Sequence, residues 1–426
     1  MSGPLGRLAA RLARHPLARF GPGLITGAAD DDPSGIATYS QAGAQLGLNA
    51  LWTMPLTYPL MSAVQLMCAE IGRVTGHGLA ANIRREFPRA VLYAAVVLLL
   101  LANTFNIAAD VAAMGDVIVL MTGGNHHLVT AGVIGVSLGL QIAIPYHRYV
   151  KFLKWLTLSL LSYAAVLFVV HVPWGEVALR TLLPRISIDA PTATVVLGVF
   201  GTTISPYLFF WQASEEVEDL QVQHRARMLN SPRSASSELR RIRWDTWVGM
   251  FYSNITGYCI VLATAVTLHR AGLTRIETAS QAASALRPIA GDFAFHLFAL
   301  GILGVGLIGV PVLAGSAGYA IAESLGWRSG LEKSARQAKG FYGVIAASMM
   351  GGLALGFTPI NPIRALFYSA VLNGVVAVPL TVLIVLLVSR ASVMGPFAIR
   401  GGVRVLGWIT AAIMACAAAG MLVPGG

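Results

Sequence analysis

The stretch that decides the fold is Gly21-Pro-Gly-Leu-Ile-Thr-Gly-Ala-Ala-Asp30-Asp31-Asp32-Pro33-Ser34-Gly35-Ile-Ala-Thr38. Three consecutive carboxylates and a proline sit in the middle of an otherwise apolar run. Proline removes one backbone donor and collides with the preceding turn, so a helix is expected to break at Pro33. The residues on either side sum to one membrane span, and no charged loop follows, so the break falls inside the span. Bare backbone at membrane depth is tolerated only where it is buried in protein or lines a watery cavity. Carboxylates at that depth are functional suspects for the same reason.

The composition places this stretch in a membrane. Of 426 residues, 56% are hydrophobic and 12% charged, against about 25% charged in a soluble domain. That excludes an ordinary soluble enzyme, a disordered chain and a disulfide scaffold. About eleven segments are long and apolar enough to span a bilayer, roughly 21–47, 50–72, 90–122, 128–147, 152–172, 192–216, 244–269, 292–323, 340–358, 363–389 and 403–424. They are continuous apolar runs, not the short alternating segments of a barrel. An all-α polytopic membrane protein is therefore expected, with residues 1–20 as an N-terminal arm and 21–424 as a single transmembrane domain. Nothing polar and long enough remains for a separate soluble domain. Cys68, Cys259 and Cys416 are scattered through apolar segments and read as packing residues, not as a zinc or disulfide framework.

The basic residues orient the chain. Arg7, Arg11, Arg14 and Arg19 precede the first span, and alternate loops hold Arg73, Arg84, Arg85 and Arg89, then Arg148, Lys151 and Lys154, then Arg225, Arg227, Arg233, Arg240, Arg241 and Arg243. Arg328, Lys333, Arg336 and Lys339, and then Arg390, Arg400 and Arg404, continue the pattern. Loops rich in Lys and Arg stay cytoplasmic, so a cytoplasmic N-terminus, an external C-terminus and a cell (inner) membrane location are expected. The net charge of +11 is thus a topology signal and not a nucleic-acid footprint.

A second stretch repeats the opening one: Gly198-Val-Phe-Gly201-Thr202-Thr203-Ile204-Ser205-Pro206-Tyr207-Leu-Phe-Phe-Trp-Gln212. A Gly/Thr-rich run again enters a mid-span proline, Pro206. One such kink is common in membrane helices. Two, opening successive five-helix halves, point to an inverted-repeat transporter with its site between broken helices. The first repeat is expected at about 21–172, the second at about 192–389, and an extra helix at about 403–424. Freed carbonyls and half-helix C-terminal ends favour a cation there, and Asp32 adds charge, with Asp31 beside it. Glu215, Glu216, Glu218 and Asp219 end the sixth span and read as a solvated face or as partners of the Arg-rich loop, with a cation-attracting vestibule as the sharper alternative. Glu70 is expected to pair with an arginine.

These residues resemble the NRAMP family of divalent-metal transporters. Gly21-Pro22 and Asp32-Pro33-Ser34-Gly35 match the spacing of that family's Gly-Pro and Asp-Pro-Gly-Asn, and Ser205-Pro206-Tyr207 resembles its Met-Pro-His. Ala69-Glu70-Ile-Gly72-Arg73-Val-Thr75-Gly76-His-Gly78-Leu79, Ile107-Ala-Ala-Asp110-Val-Ala and Leu297-Phe298-Ala299-Leu300-Gly301 with Ala314-Gly315 extend the resemblance over most of the chain. It implies a leucine-transporter-type fold with helices 1 and 6 broken, no enzymatic activity, no cofactor, and a divalent cation as substrate. The implied partners are the lipid bilayer and the metal ion, with no nucleic acid; the sequence carries no signal for an oligomeric state.

The departures from the family pattern are chemically directed. Its asparagine becomes Gly35, its methionine Ser205, its histidines Tyr207 and Gln212, and an acid in span 3 becomes Ala113. The resemblance leaves Asp32, Asp31, Ser34, Gly35, Thr202, Thr203, Ser205 and Asn373 as the substrate set, and Asp110, Tyr207 and Gln212 along the pathway. Losing a thioether removes a soft ligand, and oxygen donors suit Mg or Mn. Mg²⁺ keeps several waters and needs room more than direct ligands, so the pattern resembles the magnesium-transporting branch more than iron or manganese importers. Loss of both histidines and the acid implies weak or absent proton coupling. The competing readings are the same fold carrying an organic ion or small neutral molecule, with the metal site lost, and a non-transporting sensor or assembly subunit.

Overall fold

A computed structural model of the chain describes residues 22–143, 160–185, 187, 189–222, 228–230 and 235–421. The expected N-terminal arm, with its four arginines, lies outside the described residues, as do Arg148, Lys151, Lys154, Arg225, Arg227 and Arg233. Among the described residues the regular structure is helical and contains no strand.

Both expected breaks are present, and the prolines start the second half-helices. The first span is α1 (Pro22–Asp30) and α2 (Pro33–Leu46), separated by Asp31 and Asp32. Pro33 occupies the first turn of α2, where its missing N–H is no loss. Asp32 caps that helix, its side chain accepting from the Gly35 amide. The helices α3 (Thr53–Thr75), α4 (Leu79–Glu86), α5 (Arg89–Thr122) and α6 (His126–Ala143) follow. Next come α7 (Leu161–Val169) and α8 (Trp174–Leu182). The sixth span divides into α9 (Ala190–Thr203) and α10 (Pro206–Val222) around Ile204 and Ser205. Then come α11 (Ala235–Thr264), continued by one π turn to His269, α12 (Ala294–Leu325), α13 (Lys339–Gly356), α14 (Pro362–Ser389) and α15 (Gly402–Gly420).

Every one of the eleven apolar segments carries helix among its described residues. Among the described residues, seven helical stretches are long and apolar enough to cross a membrane: Arg89–Thr122, His126–Ala143, Ala190–Val222, Ala235–His269, Ala279–Leu325, Pro362–Ser389 and Gly402–Gly420. The other four differ for physical reasons. The first span is split into halves of 9 and 14 residues. The helix α3 is long enough but diluted by Thr53, Thr57, Gln65, Glu70 and Arg73. The fifth segment lies partly outside the described residues, and α13 is glycine-rich and opens on Lys339.

Small residues let the broken helices pack closely. A Cβ on Gly201 of α9 would stand 2.0 Å from the Ala370 carbonyl oxygen of α14, and one on Gly27 of α1 would stand 2.2 Å from the Gly249 carbonyl oxygen of α11. No larger residue fits at either position, in keeping with the close backbone approach that small residues allow between membrane helices. The three cysteines are free, as expected.

Candidate functional site

The two helix breaks face each other. The Tyr207 hydroxyl, on the first turn of α10, donates to the Ala29 carbonyl at the end of α1 (3.0 Å) and reaches Asp32 Oδ2 (3.2 Å). Asp32 is buried and held from four directions. Its Oδ1 accepts from the Gly35 amide (2.8 Å) and Ser34 Oγ (2.7 Å), and its Oδ2 accepts from Tyr207 and from Asn106 Nδ2 of α5 (3.1 Å). The helix α12 supplies a glycine at this level, since a Cβ on Gly309 would stand 3.0 Å from Asp32 Cβ.

Asp110 lies one turn along α5 from Asn106, buried beside Asp32 and the Ser34 amide, and neither of its oxygens completes a hydrogen bond among the described residues. The N-terminus of α2 favours the negative charge of Asp32, while the C-terminal ends of α1 and α9 carry partial negative charge toward the gap. The arrangement therefore fixes one carboxylate in place and surrounds it with groups that attract a cation.

The remaining expected site residues divide. Gly35 stands next to Thr202: a Cβ on Gly35 would come within 3.2 Å of Thr202 Oγ1, which has no partner among the described residues. Asn373 is buried in α14 with neither amide atom partnered among the described residues, at the level where Gly201 meets Gly374. Ser205 Oγ turns back to the carbonyls of Gly201 (2.9 Å) and Thr202 (2.7 Å), and Thr203 Oγ1 turns back to Val199 (2.9 Å), so these hydroxyls cap the end of α9. Gln212 accepts a hydrogen bond from Thr26 of α1 (2.5 Å), away from Asp32. Asp31 points away as well: with Asp30 it accepts from Ser253 of α11 (3.0 and 2.6 Å).

The sequence reading passed over Asn106 and Ser253. The first had a signal, since Asn106 and Asp110 are four apart in an apolar segment and so share a helix face. The second had none: a lone serine in an apolar span is ordinary.

One end of the bundle is closed by charge. Arg73 of α3, 1% exposed, reaches Asp219 (2.7 Å), Glu238 (2.6 Å) and Glu216 (3.7 Å), and Arg241 reaches Glu216 (2.8 Å). Asp245 Oδ2 accepts from the Gly23 amide (2.8 Å), tying the start of α1 to α11. Glu218 accepts from the Tyr319 hydroxyl and from the Leu331 amide (2.7 Å). The acidic end of the sixth span is thus a set of partners for arginine and tyrosine, and Glu70 pairs with Arg243 at 3.7 Å. The opposite end holds a cavity of about 540 Å³ lined by Gln41 and Gln45 of α2, Thr194 of α9, Arg364 and Phe367 of α14, and Glu277. Beside Phe367 of this lining, Thr38 and Val371 pack around Gly198.

A family profile described as natural resistance-associated macrophage protein-like matches residues 23–424. This chain belongs to the Nramp family. Membership makes it a multi-pass membrane transporter and not an enzyme. The divalent metal cation transporter MntH of Klebsiella pneumoniae (strain 342) is 27% identical over 407 residues, covering 93% of this chain and 92% of that protein. Among solved structures, the manganese transporter of Eremococcus coleocola superposes with a TM-score of 0.74 at 17% identity, covering 94% of this chain and 85% of the other. Mhp1, a nucleobase-cation-symport-1 family transporter, superposes with a TM-score of 0.53 at 14% identity over 95% of this chain and 92% of the other. The leucine-transporter-type fold with helices 1 and 6 broken is therefore the fold of this Nramp chain.

Proposed function

We propose that this Nramp protein carries a divalent metal cation across the cell (inner) membrane by alternating access, with Asp32 as its principal charged ligand. The observation that carries the reading is the placement of one anchored carboxylate where the two helix breaks meet, with Asp110 beside it. An arriving cation would take Oδ2 of Asp32 from Tyr207 or Asn106 and would find carbonyls at the ends of α1 and α9. The K. pneumoniae relative is named a divalent metal cation transporter, and the E. coleocola neighbour a manganese transporter.

The donor set is oxygen throughout and sparse. Among the described residues no three His, Cys, Asp or Glu side chains converge on one point. Hard, partly hydrated cations such as Mg²⁺ or Mn²⁺ suit that composition, because retained waters replace protein ligands. The direction of approach follows from the ends of the bundle: the 540 Å³ cavity opens at the end assigned to the exterior, and the Arg73 cluster seals the end assigned to the cytoplasm. That assignment takes the N-terminus as cytoplasmic and the C-terminus as external. The transport unit is residues 21–424, two five-helix repeats of about 21–172 and 192–389 with the helix at 403–424 added.

Proton coupling is weak or absent in this reading. Where α5 passes Gly351 and Gly352 of α13 the neighbours are apolar: a Cβ on Gly352 would strike Ile107 Cγ2 at 2.5 Å, and one on Gly351 would meet Thr104 Cγ2 at 3.2 Å. The test is flux of Mg²⁺, Mn²⁺ and Ca²⁺ into proteoliposomes. At least one ion is expected to enter, and Asp32→Asn is expected to abolish its entry. If all three ions stay outside, or if Asp32→Asn transports as well as the wild type, the reading is wrong.

A further inference from the structure

We infer that residues 269–277, between α11 and the short helix Ala279–Ala283, form a strap that travels with α2 and lets go of α14 in each transport cycle. It rests on the alternating-access reading and names a moving part of it. The two ends of the strap are set by local chemistry. The helix α11 finishes in the π turn Ala265–His269, and Gly272, at φ +80°, turns the chain where other residues would be strained. At the far end Thr278 and Gln281 form a reciprocal capping box that starts the short helix. Between these ends Ile276 is buried, while Thr274, Arg275 and Glu277 are exposed. One buried side chain seats a segment poorly, so polar groups of the neighbouring helices hold it.

The half-helix α2 holds the strap in two places. The side-chain amide of Gln41 pairs with its backbone at two points: Nε2 donates to the Thr274 carbonyl (3.2 Å) and Oε1 accepts from the Ile276 amide (2.9 Å). Gln45, one turn on, accepts from the same Nε2 at 3.0 Å and braces it. At the root of the strap His269 Nδ1 donates to the Ala44 carbonyl (2.8 Å), with its ring against Gly47, where a Cβ would stand 2.7 Å from Cδ2. These bonds read backbone positions and fix the strap to α2 as one piece.

The hold of α14 is of another kind. Glu277 meets Arg364 Nη2 at 2.5 Å, and its carbonyl accepts from Nδ2 of Asn361, the cap of α14, at 2.8 Å. The side chains of the ion pair are 59% and 51% exposed, and ion pairs so exposed hold weakly. The 540 Å³ cavity lies between the two holdings, since Gln41, the strap residues Arg275 to Glu277, and Arg364 all line it. Closing that cavity over an ion at Asp32 displaces α2, the helix that Asp32 caps, against α14. A strap bonded to both helices cannot keep both sets of bonds through that displacement. The exposed pair gives way, and the strap swings with α2 about Gly272 and the π turn.

The experiment links the strap to each helix in turn. In a Cys68→Ala/Cys259→Ser/Cys416→Ser background reconstituted into vesicles, Glu277→Cys/Arg364→Cys and, separately, Gln41→Cys/Thr274→Cys are joined by a short, reducible bis-methanethiosulfonate linker, and Mg²⁺ and Mn²⁺ flux is measured. The 277–364 link is expected to abolish flux, reduction of the linker to restore it, and the 41–274 link to leave it unchanged. Flux that survives the 277–364 link overturns the strap while leaving the transport reading intact, and so does arrest by both links. A background protein that carries neither ion before any linking overturns the transport reading and the strap with it. Where a cysteine pair does not fold, Glu277→Gln decides, because it keeps the shape of the strap and removes the ion pair. With the hold on α14 weakened the cavity closes more readily, so Thr194→Cys on its α9 wall is expected to react more slowly with a thiol reagent when Glu277→Gln is present. Equal rates overturn the inference.

Discussion

Asp32 caps α2 and is the proposed ligand as well, and that double duty makes its neighbours testable. Asn106 reaches from α5 to Oδ2 of Asp32 at 3.1 Å and orients it. Outer partners of this kind typically contribute about 10–100-fold to metal affinity. Asn106→Ala is therefore expected to weaken Mn²⁺ or Mg²⁺ binding by about that factor while the protein stays folded; equilibrium binding on the purified variant checks it. Gly35 offers the converse test. Asparagine there would return the oxygen that the family pattern carries, and its Cβ would meet Thr202 Oγ1 at 3.2 Å, close but adjustable by rotation of that side chain. Gly35→Asn is expected to tighten Mn²⁺ relative to Mg²⁺, because an added protein ligand displaces a water that Mg²⁺ gives up reluctantly; competition between the two ions measures the ratio. Much of this site is legible in the sequence, since Asp32-Pro33 and Ser205-Pro206-Tyr207 mark it by composition alone. The place of Ser253 is not, because it depends on the end of α1 meeting α11, a contact no local pattern encodes.

At the scale of elements, the breaks follow from local chemistry and the closure at the Arg73 end does not. A mid-span proline cannot continue a helix, so Pro33 and Pro206 announce the half-helices wherever the rest of the chain goes. Arg73 reads in sequence as one more basic loop residue, yet it ends α3 as a buried guanidinium joining α10 and α11 through Asp219, Glu216 and Glu238. Removing one partner from a buried ionic group costs about 3–5 kcal/mol, because charges are left uncompensated. Arg73→Ala is expected to lower the thermal midpoint of the detergent-solubilised protein and to loosen this end of the bundle. Cys68, buried on α3, reports the loosening. In a background with Cys259→Ser and Cys416→Ser, its reaction with a thiol reagent should accelerate in Arg73→Ala. Equal labelling rates with and without Arg73 would show that the cluster does not hold this end shut.

For the whole molecule, the question is what drives the ion, and the answer turns on where charge is absent. At the α13 glycines Gly351, Gly352 and Gly356 the α5 neighbours are Thr104, Ile107 and Ala108, and Ala113 stands where the resemblance implies an acid. None of these neighbours titrates. Under the proposed reading without proton coupling, the driving force is the ion gradient and the membrane potential. Moving one charge through 100 mV is worth about 2.3 kcal/mol, so a divalent cation gains about 4.6 kcal/mol, equivalent to an accumulation ratio on the order of 10³. Proteoliposomes carrying an inside-negative potassium diffusion potential should therefore load Mg²⁺ or Mn²⁺ far more strongly than the same vesicles at zero potential. A pH dye in the lumen should stay constant as they do so. Acidification in step with metal entry would mean that protons cross by a route other than the α5–α13 contact. It would also return Asp110 from a bystander beside Asp32 to a carrier of the coupled ion.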